Sequence, residues 1–332
     1  MLSPSHWTFL IRALSPWSPK ELRMKTLVLE HTAPFQGLPE LVADAEGLFA
    51  KEGLKIEWAD TDDGASREAR TDLKSPKGLD PFRSHGRLLE QGKADMYNAC
   101  EWGNYCRVQD TNVHSRQLGR RAIVTFAAIA VRPDSPVYTP QQFANRKVGV
   151  PFYFGTHYLA LHMLEGFVPR DQIVVCSVPH GSSYRFNLLM EGKIEGTTLT
   201  EPYVTYAEKM GCRIVCSAFY HGTQVGTDKI DADTLSAYNR AISEAVRRIS
   251  ANKRGYLHYF IDYHKKMDAA IGTLRVEDMR ESRLVVCEPS PIPADEMQRT
   301  YEWVRSWGML AETSSPMQLV NTEIQSRAYM SA

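Results

Sequence analysis

The feature that most constrains this 332-residue chain is a repeat at an offset of one hundred residues. Residues 88–95 (LLEQGKAD) return as residues 188–195 (LLMEGKIE), and Glu101 and Glu201 follow at the same distance. Each copy is typical of a helix end, a Gly-Lys turn and a short strand that presents a glutamate at its far end. Glycine ends helices because it tolerates a positive φ, and lysine suits the negative end of the helix dipole. Two such units predict two α/β lobes that face a shared cleft, an arrangement that closes on a small molecule.

The composition excludes several other classes of protein. Hydrophobic residues make up 43% of the chain, enough for one large core or two moderate ones. Lys+Arg and Asp+Glu both number 39, so no basic surplus favours nucleic acid or an anionic membrane. No apolar run approaches the length of a membrane span. The expected partner is therefore a small-molecule ligand.

The N-terminal segment and the cysteines predict the compartment. Residues 1–23 lack the features of a signal peptide, because Arg12 interrupts their apolar stretch, and the first convincing strand follows Met24 directly. We therefore expect residues 1–23 to be a loose or non-native extension. Six cysteines without a framework spacing fit unpaired thiols in a reducing compartment. Both features predict the cytoplasm; a misassigned start would leave the periplasm open.

The order of strands and helices predicts two Rossmann-like lobes, each with a parallel-type sheet, joined by two crossovers. After the first strand we expect a loop over residues 31–37 and a single helix over residues 38–51. A strongly apolar strand over residues 122–131 should carry the chain into the second lobe, and a strand over residues 213–219 should return it. The predicted boundaries are 24–124 plus 220–332 for lobe 1 and 125–219 for lobe 2.

Ligands of open α/β sheets lie beyond the carboxyl ends of the strands, near helix N-termini. Five loops meet this description: 31–37, 83–86, 100–104, 152–157 and 180–183. Gly155-Thr156 and Gly181-Ser182-Ser183 each open a helix, where free backbone N–H groups and hydroxyls can bind an anion. Ordinary helix capping is the alternative. Thr32 and His157 lie in the same loops and complete this part of the candidate ligand-binding set.

The two repeated glutamates have competing interpretations. Glu201 precedes a proline, and it either contacts the ligand or braces the hinge and caps the next helix. Glu101 stands beside Trp102, which offers a flat face for an aromatic ring, while the acid could bind a donor on that ring.

Three residues are candidates for catalysis. His31 follows the first strand, and its imidazole could protonate a carbanion left by the loss of carbon dioxide or sulfite. His85, together with Arg83, could fix a carboxylate or a sulfinate; a solvated helix start is the alternative. Cys100 could act as a nucleophile if its pKa were lowered, but the neighbouring Glu101 should raise it. No metal site and no cofactor motif is found, and we expect neither.

Several motifs in order resemble type II periplasmic-binding-protein folds, and in particular the sulfonate, taurine, nitrate and thiamine-pyrimidine group. Residues 45–54 (AEGLFAKEGL) look like the first helix of that family, and residues 89–95 match its second signature. The segments 131–136 and 143–150 match the region between the lobes. Residues 190–194 and Thr200-Glu201-Pro202-Tyr203 complete the set, which spans roughly Met24 to Asn252.

The resemblance implies one of two functions. Most members are receptors that hand a ligand to an ABC permease, whereas a minority are cytoplasmic enzymes such as aromatic desulfinases and dihydroxyphthalate decarboxylases. The chain has His31-Thr32-Ala33 where the desulfinases carry a nucleophilic cysteine, and Arg83 resembles the arginine that they place near their substrate. We expect a cytoplasmic enzyme that removes a carboxylate or sulfinate from a small aromatic acid. The alternative is the substrate-binding component of an importer for a small organic anion.

Overall fold

The computed structural model describes residues 24–59, 85–111, 113–311 and 314–329. Its strands are β1 Lys25–Glu30, β2 Leu54–Ala59, β3 Met96–Cys100, β4 Ser115–Arg120, β5 Ile123–Val131, β6 Lys147–Val150, β7 Val174–Ser177, β8 Gly196–Thr200, β9 Arg213–Tyr220, β10 Gly222–Thr227 and β11 Val285–Val286. Its helices are α1 Pro34–Ala45, α2 Leu48–Lys51, α3 Arg87–Glu90, α4 Glu101–Asp110, α5 Gly155–Glu165, α6 Ser182–Met190, α7 Tyr203–Lys209, α8 Ala232–Ala251, α9 Lys253–Tyr256, α10 His258–His264, α11 Ala294–Ser306, α12 Pro316–Leu319 and α13 Thr322–Tyr329. Among these helices, none is both long enough and apolar enough to cross a membrane.

Two sheets with helices around them form the two lobes. The first sheet has the order β2-β1-β3-β10-β4. The second has the order β11-β5-β8-β6-β7, with β9 added on β5. In each lobe three parallel strands lie side by side, β2-β1-β3 in one and β7-β6-β8 in the other. Because parallel strands end at the same edge, the loops that follow them gather at one end of each lobe.

The sequence repeat is a repeat of structure. Gly92 and Gly192 both have a positive φ, 72° and 73°. After each glycine a lysine N–H donates to a leucine carbonyl five residues back, at 2.8 Å for Lys93 and 3.0 Å for Lys193. The strands that follow each copy pair in parallel within their lobe, β3 with β1 and β8 with β6. The predicted helix end, turn and strand are thus confirmed in both copies.

Three expectations about the elements were wrong in detail. The predicted loop over 31–37 contains the start of α1, because Pro34 stands at its first helical position, which suits proline. The single helix expected over 38–51 is two helices, since Gly47 adopts a left-handed φ of 66° between them. The sheets are mixed rather than parallel throughout: β10 enters antiparallel between β3 and β4, because the chain returns from the other lobe in the reverse direction.

The lobes are held together by paired strands and by a C-terminal helix. Strand β5 leads out of the first lobe, β9 leads back, and the two pair antiparallel from Thr125 and Tyr220 to Val131 and Arg213. This pairing places both connections side by side in the middle of the molecule.

Helix α11 spans both lobes beside these connections. On the first lobe the Tyr105 hydroxyl of α4 donates to the Met297 carbonyl at 3.4 Å. On the second lobe the indole N–H groups of Trp303 and Trp307 donate to Glu165 at 2.6 and 3.2 Å. The His162 ring of α5 stacks on Trp303 with centroids 3.7 Å apart. The helix therefore fastens α5 of one lobe to α4 of the other.

We predict that Gly92→Ala lowers the free energy of unfolding by about 1 to 2 kcal/mol, because an L-residue is strained in the left-handed region. No atom lies within 4 Å of the added methyl, so the loss reports backbone strain alone. Gly166→Ala is the matched control: its site is equally open, but its φ is −74°. Urea unfolding should show the loss in the first variant only; equal stabilities would contradict the role of the turn.

Candidate functional site

A cavity of about 350 Å³ lies where the strand ends of the two lobes face each other. Its walls include His31 after β1, Cys100 at the end of β3 and Thr200 at the end of β8. The first turns of α5 and α6 form the opposite wall. Seven phenylalanine and tyrosine side chains also line it: Phe35, Tyr153, Phe154, Tyr184, Tyr203, Tyr220 and Tyr263. Concave, mostly apolar walls with a few polar groups are typical of sites for small organic ligands.

One buried charge at the cavity comes from Arg185 in α6; the other charged residues of the lining are Glu30, Arg87 and Arg107. The Arg185 guanidinium is only 3% exposed; Nε donates to the Thr198 carbonyl at 2.9 Å and Nη2 to the Ser182 hydroxyl at 3.0 Å. Burial lowers the pKa of Arg185 to about 10, so the group is charged at neutral pH. In the described part of the chain no carboxylate forms an ion pair with it. A buried cation without a counter-ion favours an anion in the space that it faces.

The loop before α5 is shaped by His157. This fully buried imidazole accepts the Tyr153 N–H on Nδ1 at 3.1 Å, and Tyr153 adopts a φ of 67°. Burial lowers the pKa of His157 to about 3, so the ring is neutral. His157 therefore braces the loop that brings Tyr153 and Phe154 to the cavity, and it does not itself line the cavity.

Three candidates for catalysis line the cavity in different chemical states. Burial raises the pKa of Cys100 to about 11, so its sulfur, which accepts the Gly103 N–H at 3.3 Å, is a thiol at neutral pH. Burial and the charges of Arg121 and Arg107 lower the pKa of His85 to about 4, which makes this imidazole neutral. His31 stacks on Tyr263, with ring centroids 5.6 Å apart.

The structure brings seven of the predicted site residues to the cavity. They are His31, His85, Cys100, Gly155, Thr156, Ser182 and Ser183. Five others lie outside the lining: Thr32, Glu101, Trp102, His157 and Glu201. Arg83 falls outside the described residues.

The repeated glutamates are buried away from the cavity lining. Glu201 accepts the backbone N–H and the hydroxyl of Thr205 at 3.2 and 2.8 Å and pairs with Arg283 at 3.0 Å. These contacts fit the second of the two roles that the sequence allowed for Glu201, in which it braces the hinge and caps the next helix. Glu101 is 6% exposed; burial raises its pKa to about 7, against the lowering effect of the Arg120 charge. Trp102 packs among aromatic rings, 5.1 Å from His162 and 5.3 Å from Tyr220.

Arg185 and Tyr220 were missed by the sequence reasoning. Arg185 stands in the first turn of α6, where a cation opposes the helix dipole. An arginine in this unfavourable position indicates, from the local sequence alone, a role other than stabilising the helix. Tyr220 carries no comparable signal, because an aromatic residue at the end of an apolar strand is usual in a core. Among the described residues, no group of three or more His, Cys, Asp or Glu side chains is placed to hold a metal ion.

No protein-family model and no curated protein sequence matches this chain. Solved structures do match over nearly its whole length. The periplasmic aliphatic sulphonate binding protein SsuA from Escherichia coli has a TM-score of 0.66 at 12% identity, covering 91% of this chain and 99% of that one. A Candida albicans protein with the generic periplasmic binding protein fold has a TM-score of 0.62 at 14% identity, over 90% and 96% of the two chains.

An enzyme is among these similar structures. The desulfurization enzyme DSZB has a TM-score of 0.55 at 14% identity, over 92% of this chain and 99% of that one. A mutant of DSZB was solved in complex with biphenyl-2-sulfinic acid. At such identities the similarity establishes the fold, which is that of the periplasmic binding proteins and is shared by binding proteins and an enzyme.

We predict that Glu101→Gln gains stability over the native chain as the pH rises. The folded protein holds the Glu101 proton up to about pH 7, whereas the ordinary pKa is 4.5. Ionisation of Glu101 therefore costs folding free energy between these pH values, about 3 kcal/mol in full. Urea unfolding at about pH 5 and about pH 8 measures the difference between the two proteins.

Glu302→Gln, at an exposed position of α11, is the control and should show no such trend. A Glu101→Gln variant whose stability relative to the native chain is the same at both pH values would contradict a buried, proton-holding Glu101.

Proposed function

We propose that the cavity binds a small aromatic organic anion, with a carboxylate, sulfinate or sulfonate group held at Arg185. The observation that carries this proposal is the burial of the Arg185 guanidinium, without a carboxylate partner among the described residues, in the wall of the cavity. An anion bound there supplies the missing charge and accepts charge-assisted hydrogen bonds.

The other walls of the cavity fit the rest of such a ligand. The first turns of α5 and α6 carry backbone N–H groups and the hydroxyls of Thr156, Ser182 and Ser183, which favour negative charge. The aromatic side chains offer flat apolar faces for a ring. A volume of about 350 Å³ lies at the small end of the range for ligand pockets. The sulfonate-binding and desulfurization proteins that share the fold have ligands of this chemical kind in their names and complexes.

We predict that Arg185→Gln weakens the binding of benzenesulfonate, benzenesulfinate and benzoate by roughly tenfold or more, because a hydrogen bond to a charged group is lost. Isothermal titration calorimetry with the three probes measures the change. Arg305→Gln, at an exposed position of α11, is the control and should bind as the native chain does. If Arg185→Gln bound the three probes with the affinity of the native chain, the proposal would be contradicted.

A second candidate function is catalysis on the bound acid, and the position of His31 favours it. The ring lies in the cavity wall together with those of His85 and His180, so a candidate proton carrier lines the cavity that Arg185 also lines. In a decarboxylation the bond between the ring carbon and the carboxylate breaks, carbon dioxide leaves, and the electron pair on the ring carbon takes a proton from His31. In a desulfination the bond between the ring carbon and sulfur breaks instead. Sulfur dioxide leaves and is hydrated to sulfite, and the ring carbon again takes the proton.

For the enzyme function we propose a cytoplasmic location, and the six free cysteines support it because unpaired thiols suit a reducing compartment. The same cavity without turnover would serve an importer's binding component. Of the catalytic candidates His31 is the preferred acid, since the neutral His85 and the protonated Cys100 thiol are poorly suited to donate a proton or to attack.

We predict that His31→Gln abolishes the release of product while leaving binding within about threefold, because the amide keeps hydrogen-bonding capacity but carries no transferable proton. Mass spectrometry of a pool of aromatic carboxylates and sulfinates before and after incubation measures turnover. Product above one equivalent per native chain identifies an enzyme. If the loss of free acid from the pool stops at one equivalent and is reversed on denaturation, the chain is a binding protein. That outcome would contradict the catalytic role of His31.

A further inference from the structure

Tyr220 occupies a position that neither lobe alone could provide. It ends β9, the connection that returns to the first lobe, and it pairs in register with Thr125 on β5, the outgoing connection. The side chain is buried and lines the cavity. Its hydroxyl is thus the polar group that the two connections present to the ligand space.

Two buried guanidinium groups, one from each side, act on this tyrosine. Cζ of Arg121 lies 5.7 Å from the centroid of the Tyr220 ring. Burial raises the pKa of Tyr220, and the positive charge of Arg121 opposes that rise. In the second lobe, burial lowers the pKa of Arg185, and the interaction with Tyr220 is the largest effect that raises it. The phenol therefore lies within the electrostatic reach of both cations.

The direction of the hydroxyl is fixed by its distance to α5. A Cβ atom added at Gly155, the first residue of that helix, would lie 3.1 Å from Oη of Tyr220. The absence of a side chain at Gly155 therefore brings the hydroxyl against the helix N-terminus. The phenol O–H and the backbone N–H groups at the start of α5 therefore lie together, and the guanidinium of Arg185 lines the same cavity.

We propose that the Tyr220 hydroxyl donates a hydrogen bond to the anionic group of the ligand, and that it selects a group with two acceptor oxygens. One oxygen is bound by Arg185 and the other by Tyr220, so a carboxylate, sulfinate or sulfonate is preferred over the neutral amide of the same shape. The Tyr220 hydroxyl also has the side chains of Arg121 and Thr125 as hydrogen-bond partners, and a bond from the Arg121 cation polarises the phenol and makes it a stronger donor. This inference rests on the proposed function of the cavity.

The test is calorimetric titration of native protein, Tyr220→Phe and Tyr203→Phe with benzoate and with benzamide. Tyr220→Phe keeps the ring that packs 5.3 Å from Trp102 and removes only the hydroxyl. Its affinity for benzoate should fall by roughly tenfold or more, because a hydrogen bond to a charged group is lost, whereas its affinity for benzamide should change by less than about twofold.

Tyr203→Phe is the matched control. Tyr203 also lines the cavity, but its hydroxyl already donates to Asp268 at 2.9 Å. Its removal should leave the ratio of benzoate to benzamide affinity unchanged. This ratio remains informative if either variant is less stable than the native chain, since both ligands are measured on the same protein.

The outcomes separate the two proposals. If the native chain binds benzoate and Tyr220→Phe keeps the native ratio of affinities, the role of Tyr220 is overturned while the anion site stands. If none of the benzoate, benzenesulfinate and benzenesulfonate probes binds to the native chain, the proposed function itself is overturned.

Discussion

The antiparallel pairing of β5 with β9 is the interaction on which the cavity depends. The two strands are the connections between the lobes, and their hydrogen bonds run from Thr125 and Tyr220 to Val131 and Arg213. If the two strands were not paired, the distance between the strand ends of one lobe and those of the other would not be fixed. Because they are paired, β1 and β3 on one side face β6 and β8 on the other across a constant gap. The groups gathered at those strand ends can therefore act on one molecule.

The cavity combines apolar walls with a charge that the protein itself leaves uncompensated. Some buried charges elsewhere are paired, Glu201 with Arg283 and Glu90 with Arg107, whereas Arg121 forms no ion pair among the described residues. Arg185 differs from Arg121 in lining the cavity, and a carbonyl and a hydroxyl accept two of its N–H groups without balancing its charge. Burying a cation in this way costs stability. An anion bound in the cavity offsets this cost, so Arg185 indicates an anion site more strongly than the size of the cavity does.

The sequence repeat predicted much of the fold because its signals are local. Gly92 and Gly192 need a left-handed backbone, and the turns at both copies follow from that requirement. Strand β10 was not predicted: its sequence GTQVGT has little alternation, and it is held by long-range pairing with β3 and β4. The break at Gly47 was missed because an isolated glycine within a helical pattern is often tolerated.

From the sequence, only those parts of the site that lie at the ends of predicted strands could be predicted. The rule that ligands lie beyond the carboxyl ends of strands selected His31, Cys100 and the first turns of α5 and α6, and all of these line the cavity. Glu101 and Glu201 lie outside the lining, since the direction of a side chain at the start of a helix depends on its tertiary partners. Arg185 depends in the same way on Thr198, a residue of the neighbouring strand that the sequence alone does not place beside it.

The attachment of α11 to both lobes bears on how a ligand enters and leaves. Two adjacent strands alone would form a hinge, about which the lobes could swing as rigid bodies. A third attachment, through Trp303 and Trp307 on Glu165, turns that hinge into a braced frame. Exchange then depends on side chains at the edge of the cavity, where Tyr184 and Met267 are 40% and 60% exposed. The indole contacts on Glu165 therefore link the C-terminal part of the chain to the geometry of the cavity, although no residue of α11 lines it.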